Sequence, residues 1–462
     1  MKCKTGKLER FKLLFLVTFS AIFFHVALWC PVYFFWFSFL YLIPIFYGAL
    51  TFQERVSFKA GFLWGFIFSA LHLHSITMLI INECSGLLRF VFPFLLLCYY
   101  ALHTGVWFWL ANKTGELLKN KKRAIAWIFW TWLLIIWMPS GFLWASGEYI
   151  GYPLTFPLLP LAQYPKLLFG LKFVCPELLV LCLICFSMGV TLFFTKKEKK
   201  YLFCAGLFLI PFLSGLLFKK KETEIPYFFK TFGYVQPPKV KENAPPLDVA
   251  QEIYYRINKL LKKHPEVRYI VMPELSCRFS LNNKLELIDL WTVNALHDDV
   301  ALLIGACRTE NKKTYNSFYF IKKGRVQEVH DKTRLMPFAE YIPTLYKNFK
   351  CCKNLFLSCN FGFCVGKQRK RFYFCDDFSC VNSICAEAIL SENDLAINKS
   401  DNAVLLSIFN DSLFASSLAH LILLWVKLEG FKQNKFSLFV GYSFAILITP
   451  NGDTLKFLTM SN

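Results

Sequence analysis

Three short runs decide how this chain is read: "YIVMPELS" (269–276), "VHDKTRLMPFAEYIP" (329–343) and "NSICAEAIL" (382–390). The first is a β-branched and aromatic run of strand length that ends in Pro273 and Glu274. It places a carboxylate at the carboxyl end of a buried strand, where α/β folds assemble their sites. In the second, apolar and proline residues crowd a few charges, so one or more of those charges, Lys332 among them, is expected to point into the protein. The third runs the strand-like "VNSI" into Cys385 and then "AEAIL", a strand–turn–helix elbow that would lift a thiol clear of a sheet near a helix N-terminus and favour thiolate. Taken singly, the three read equally well as a solvated loop glutamate, a surface lysine and an inert buried thiol. Taken together, they supply a base, a cation for an oxyanion and a thiol nucleophile, the set that acyl transfer through a thioester requires.

The sequence around these runs predicts an alternation of strands and helices. Strands are expected at "TFGYVQ", "RYIVM" (268–272), "ALLIGA" (301–306), "YNSFYFI" (315–321) and "VLLSIF" (404–409). A helix capped by Asp248 repeats Val249, Ile253, Ile257, Leu260 and Leu261 at helical spacing up to Lys263, and further helices are expected near 284–297 and 413–428. Continuous apolar strands alternating with amphipathic helices predict a sheet covered by helices, an α/β class. Residues 222–247, with Pro226, Pro237, Pro238, Pro245 and Pro246, read as a linker carrying the first strand.

The preceding half is of a different kind. Of the 462 residues, 55% are hydrophobic and 18% aromatic, with a mean hydropathy of +0.41, which places the chain among membrane proteins with a soluble part. Membrane spans are expected at 11–29, 32–50, 60–82, 88–112, 124–146, 173–195 and 200–218, each near the ~20 residues that cross a hydrocarbon core. The first is an uncleaved anchor, because no small-residue cleavage site precedes the next apolar run. The net charge of +21 does not indicate nucleic acid, since many basic residues sit in short loops between apolar runs. The N-terminus, Lys113 to Arg123 and Lys196 to Lys200 fall on one face of a seven-helix topology, which predicts the segment after Phe218 outside the cytoplasm. The Gly/Pro-broken stretch 143–165 reads either as a re-entrant segment or as a loose external loop. The seventeen cysteines show no repeated framework, and Cys182 to Cys185 lies inside an apolar run with no second ligand pair, so no metal and no cofactor are expected.

The three runs resemble the nitrilase superfamily pattern: P-E after a strand, K-x-x-L-x-P-F-x-E-x-x-P, and C-x-E at the elbow. Here these are Pro273-Glu274, Lys332 through Pro343, and Cys385-Ala386-Glu387. With the apolar half in front, the chain resembles the membrane-bound branch of that superfamily, the apolipoprotein N-acyltransferase family. The likeness runs from about residue 60 to residue 453 and extends to Asn316 and Asn410-Asp411. It implies an αββα sandwich at 248–462 behind a membrane domain at 1–221, with catalytic Glu274, Lys332 and Cys385 supported by Glu340 and Glu387. It also implies a phospholipid acyl donor, a diacylglyceryl-cysteine lipoprotein acceptor and a place in the bacterial inner membrane with the catalytic domain outside the cytoplasm.

Several positions depart from that pattern. Ala386 stands where the family usually has tyrosine, and "NDSLF" puts Leu413 where it has tryptophan. The sequence ends at Asn462 without the family's closing strand and eighth membrane helix, so a domain tethered at one end is expected. Two further readings of the same residues stay open: a membrane-anchored amidase or nitrilase-type hydrolase, and a degenerate acyltransferase homologue without activity.

Overall fold

The computed structural model describes the chain except at residues 1, 53–56, 84–85, 119–121, 141–154, 218–222, 239–243, 293–299, 337–339, 342–361, 368–370, 376–377, 386, 391–402, 412–415, 457 and 460–462. Its contacts divide into two units, Met1–Lys220 and Lys221–Asn462.

The first unit is helical: α1 (Lys2–Trp29), α2 (Pro31–Phe34), α3 (Phe37–Leu40), α4 (Leu42–Thr51), α5 (Phe58–His72), α6 (His74–Glu83), α7 (Leu88–Leu117), α8 (Arg123–Ser140), α9 (Pro176–Lys196) and α10 (Lys199–Leu213). Among the described residues, four stretches are long and apolar enough to cross a membrane: Leu8–Trp29, Arg89–Leu117, Pro176–Lys196 and Lys199–Leu216. The expected span at 32–50 is instead three short helices that begin at Pro31. The expected span at 60–82 is broken at Leu73, which leaves helical geometry at φ −92° and ψ 10° while Trp29 Nε1 donates to His72 Nδ1 at 3.0 Å.

Helix contact in this unit depends on small residues. A Cβ on Gly65 would lie 2.0 Å from Thr104 Oγ1, and Thr104 Oγ1 itself donates to the Gly61 carbonyl at 2.9 Å. The Gly61-x-x-x-Gly65 stripe therefore lets α5 and α7 touch backbone to side chain, as small-residue stripes do between apolar helices. Of the 143–165 stretch, residues 141–154 lie outside the described residues. The remainder is packed rather than loose: Leu158, Leu159 and Leu161 have no exposed surface, and Tyr164 Oη donates to the Val32 carbonyl.

The second unit holds β1 (Phe232–Tyr234), α11 (Pro246–Lys263), β2 (Tyr269–Val271), β3 (Cys277–Ser280), α12 (Leu285–Thr292), β4 (Ala301–Glu310), β5 (Lys313–Lys322), β6 (Arg325–Asp331), β7 (Arg371–Cys375), β8 (Phe378–Ile384), α13 (Glu387–Leu390), β9 (Ala403–Ile408), α14 (Ser416–Gln433), β10 (Ser437–Val440), β11 (Ala445–Ile448), β12 (Thr454–Lys456) and β13 (Leu458–Thr459). One sheet runs β13-β1-β2-β4-β5-β6 with β3 beside β4, and the other runs β12-β11-β10-β9-β8-β7. Each has a parallel centre, β1–β2–β4 and β8–β9–β10, continued by antiparallel hairpins.

The sheets face each other. Phe372 of β7 stacks on Phe318 and Phe320 of β5 with ring centres 5.5 and 5.8 Å apart, and Tyr234 Oη donates to the Tyr442 carbonyl at 2.6 Å. On the far side of the first sheet, α11 buries Val249, Ile253, Ile257, Leu260 and Leu261 against Ile270, Met272, Leu302 and Ile304. Each such side chain contributes about 1.5–3 kcal/mol by leaving water. α14, buried along Leu421, Leu424, Trp425 and Leu428, packs beside β10 of the second sheet. The order is helix, sheet, sheet, helix. Asp248 does not cap α11: the cap is Pro245, with Pro246 at the first helical position, where its fixed φ suits helix entry, and Asp248 lies in the first turn.

The candidate active site

The carboxyl ends of β2, β6, β8 and β9 meet at one place in the second unit. β2 runs through Met272 and Pro273 into Glu274, and the chain then turns sharply, with Leu275 at φ +53° and Ser276 Oγ donating to the Pro273 carbonyl at 2.7 Å. Gly305 on β4 makes room for this turn, because a Cβ there would lie 2.5 Å from Pro273 O and 2.7 Å from Glu274 Cα. Gly305→Ala should therefore push Glu274 out of place and cost about 1–3 kcal/mol. The thermal midpoint of the purified protein is expected to fall, and an unchanged midpoint would mean that β2 and β4 do not press together here.

Lys332 follows β6. Its amide donates to the Asn316 carbonyl of β5 at 2.8 Å, and its side chain is 1% exposed. The ammonium donates to Glu274 Oε1 at 3.1 Å and to Glu340 Oε1 at 2.9 Å. Asn316 Nδ2 bridges the same two carboxylates, at 2.7 Å to Glu274 and 2.9 Å to Glu340. Glu274 Oε2 accepts from the Asn410 amide at 3.0 Å, and Glu340 Oε2 from the Met336 amide at 2.8 Å. All of these partners are donors, so both carboxylates are held as acceptors around one ammonium.

Burial raises the pKa of Glu274 above the usual carboxylate range, Lys332 opposes that shift, and the charge of Glu340 adds to it. For Lys332 burial pushes the other way, but the fields of Glu274, Glu340 and Cys385 outweigh it and hold the ammonium well above its ordinary pKa. The Cys385 sulfur thus lies within the electrostatic reach of Lys332. Cys385 itself is buried, directly follows β8, and takes a left-handed turn at φ +50°, with its amide donating to the Ile408 carbonyl at 2.8 Å.

Glu387 lies apart from this cluster and has no exposed surface. Its Oε1 accepts from Thr333 N at 2.5 Å and Thr333 Oγ1 at 2.6 Å, while Oε2 receives Ile384 N and meets His330 Nε2, each at 2.9 Å. Asp411 accepts from the Tyr442 and Ser443 amides and so fixes the β10–β11 turn. The structure therefore gathers Glu274, Lys332 and Glu340 into direct contact, with Cys385 in the field of the lysine and Glu387 bonded to the residues flanking both. Ala386 and Leu413 lie outside the described residues.

Sequence reasoning passed over His330, Thr333 and Arg308. The last grips Asp331 with two hydrogen bonds, Nε to Oδ1 at 2.9 Å and Nη2 to Oδ2 at 2.5 Å. A strand's period of two places His330 and Lys332 on one face of the β6 end, which was the available signal.

The chain thus has a helical first unit with several apolar helices, followed by an α/β unit with a buried carboxylate–lysine cluster. No family model matches the chain. Among curated proteins it is similar to apolipoprotein N-acyltransferase 2 of Treponema denticola, 24% identical over 343 residues, covering 65% of this chain and 60% of that protein. It is similar also to the apolipoprotein N-acyltransferase of Helicobacter pylori, 28% identical over 232 residues and covering 48% of this chain and 51% of that one. The chain thus spans less than two thirds of these relatives' length. Solved structures similar to it include a carbon–nitrogen hydrolase from Helicobacter pylori G27, 11% identical over 49% of this chain and 82% of that one, TM-score 0.34. A nitrilase-superfamily amidase from Nesterenkonia is 13% identical over 48% and 83%, also at TM-score 0.34.

Proposed function

We propose that this chain is a membrane-bound N-acyltransferase that moves a fatty acyl chain from a phospholipid to the amino group of a diacylglyceryl-cysteine lipoprotein, with Cys385 as the carrier. The observation that carries this reading is the buried cluster of Glu274, Lys332 and Glu340 beside an elbow cysteine, on a chain whose other half is apolar helix.

In the first half-reaction Glu274 takes the proton of the Cys385 thiol. The thiolate attacks the ester carbonyl of the phospholipid, and the resulting oxyanion is stabilised by the Lys332 ammonium. Glu274 and Glu340 hold the ammonium in place, and its charge and a donor are presented to the oxyanion as it forms. Collapse breaks the ester C–O bond, and the departing alkoxide takes the proton from Glu274, leaving a lysophospholipid and a thioester on Cys385. In the second half-reaction the α-amino group attacks the thioester, Glu274 accepts its proton, the C–S bond breaks, and the proton returns to the thiolate. Glu340 and Asn316 hold the lysine and the base in register.

Both substrates are lipids, which gives the apolar half a purpose beyond anchoring. On a seven-helix count, the basic loops at the N-terminus, Lys113–Arg123 and Lys196–Lys200 support a placement of the second unit outside the cytoplasm under the positive-inside rule. Purified protein in detergent, given phosphatidylethanolamine with a labelled acyl chain and a diacylglyceryl-cysteine peptide, is expected to label the peptide's amino group. Release of ammonia from a soluble amide without acyl transfer would instead identify a hydrolase, and folded protein inactive in both assays an inactive homologue.

A further inference from the structure

His330 has no exposed surface and sits two residues before Lys332, and Glu387, equally buried, sits two residues after Cys385. The contact between them, 2.9 Å from Nε2 to Oε2, joins β6 of the first sheet to the helix that follows β8 of the second. Three other contacts to Glu387 come from N–H or O–H groups of Thr333 and Ile384, so the carboxylate is an acceptor throughout and His330 Nε2 carries the proton and donates. Glu387 thereby joins four groups: two belong to Thr333, which follows the lysine, one to Ile384, which precedes the cysteine, and the fourth is the histidine.

The elbow needs such a brace. Cys385 stands at φ +50°, a region that a non-glycine residue keeps only where its surroundings over-determine it. Among the bonds around it are its own amide on the Ile408 carbonyl, the Ala388 amide on its carbonyl at 3.1 Å, and the Ile384 amide on Glu387. A buried carboxylate that loses a donor is left under-solvated and moves toward another. Movement of Glu387 would release Ile384 and let the elbow relax away from Lys332.

We propose that His330 is a positioning residue for the nucleophile: by donating to Glu387 it holds the Cys385 elbow in its left-handed turn and fixes it to the strand end that carries Lys332. This rests on Cys385 being the nucleophile.

The test compares H330Q, which fills the space and keeps a donor, with H330M, which fills the space without one. Alkylation of Cys385 by iodoacetamide is followed by mass spectrometry of its peptide across pH, on protein checked for folding by protease resistance. The midpoint of the pH–rate profile reports how strongly Lys332 holds the thiolate, independently of how accessible the sulfur becomes. In H330M the midpoint is expected to rise by about one unit, a tenfold loss of thiolate at neutral pH, and in H330Q to return to the parent value. Equal shifts in both variants, or no shift in either, would overturn the proposal. Should H330M not fold, T333V removes only the hydroxyl donor to the same carboxylate; its midpoint is expected to rise, and the parent midpoint there would also overturn it. If phosphatidylethanolamine leaves no adduct on the parent, the acyltransferase reading fails while the alkylation comparison still decides the role of His330.

Discussion

Lys332→Arg is expected to abolish acyl transfer almost as fully as Lys332→Ala, while leaving the domain far more stable than the alanine variant. Lys332 is 1% exposed and sits between two carboxylates that are themselves buried. Alanine removes the only cation bonded to Glu274 and Glu340 among the described residues, and breaking a buried pair in this way costs about 3–5 kcal/mol. Arginine keeps the charge, but its planar fork is broader than an ammonium and cannot aim a single donor at an oxyanion from the same place. Loss of one such donor lowers the rate by about 10²–10³. Thermal unfolding read beside acyl-transfer rates separates the two effects. Substantial transfer by the arginine variant would reduce the role of Lys332 to general positive charge.

Glu274→Gln is expected to slow formation of the acyl-enzyme by about 10²–10⁴, the usual contribution of a positioned base. The glutamine keeps the size of the glutamate, and its carbonyl oxygen can still accept from Lys332 and Asn316, while its amide nitrogen takes the place of the oxygen that accepts from the Asn410 amide. It cannot take a proton. Burial has already raised the pKa of Glu274, bringing it nearer to that of the thiol whose proton it would remove. A single-turnover rate within about tenfold of the parent, only ~1.4 kcal/mol of barrier, would mean that Glu274 merely holds Lys332 in place.

Much of this architecture was readable from residues close together in the chain. Strand-length runs ending in Glu274 and Cys385, and the helical repeat from Val249 to Leu261, each state their own local structure, and the apolar first half states its solvent. Less local features were harder to read. The hairpin turns at Asn311-Lys312 and Lys323-Gly324 take positive φ at both residues without a strong Asn-Gly or Asp-Gly signal, so the strands at 301–306 and 315–321 are readable but their extension into a hairpin, and β6 after it, are not. The break at Leu73 in one expected span lies beside a contact of His72 with Trp29, 43 residues away, which no local pattern announces.

At the site, sequence order places Glu340 eight residues after Lys332 but cannot show that both bond to one asparagine on a neighbouring strand. Nor could it show the link from His330 to Glu387, which are 57 residues apart, one on β6 of the first sheet and the other opening the helix that follows β8 of the second. Hydrogen bonds of that range are set by how the sheets face one another, and a single sequence carries no pattern for them.

The most direct test of the central claim is the mass of the intact protein after exposure to phospholipid. The account predicts a fatty-acyl adduct on the parent chain that hydroxylamine removes, as it removes a thioester, and its complete absence from Cys385→Ala. An adduct of the same mass persisting on the Cys385→Ala protein would contradict it.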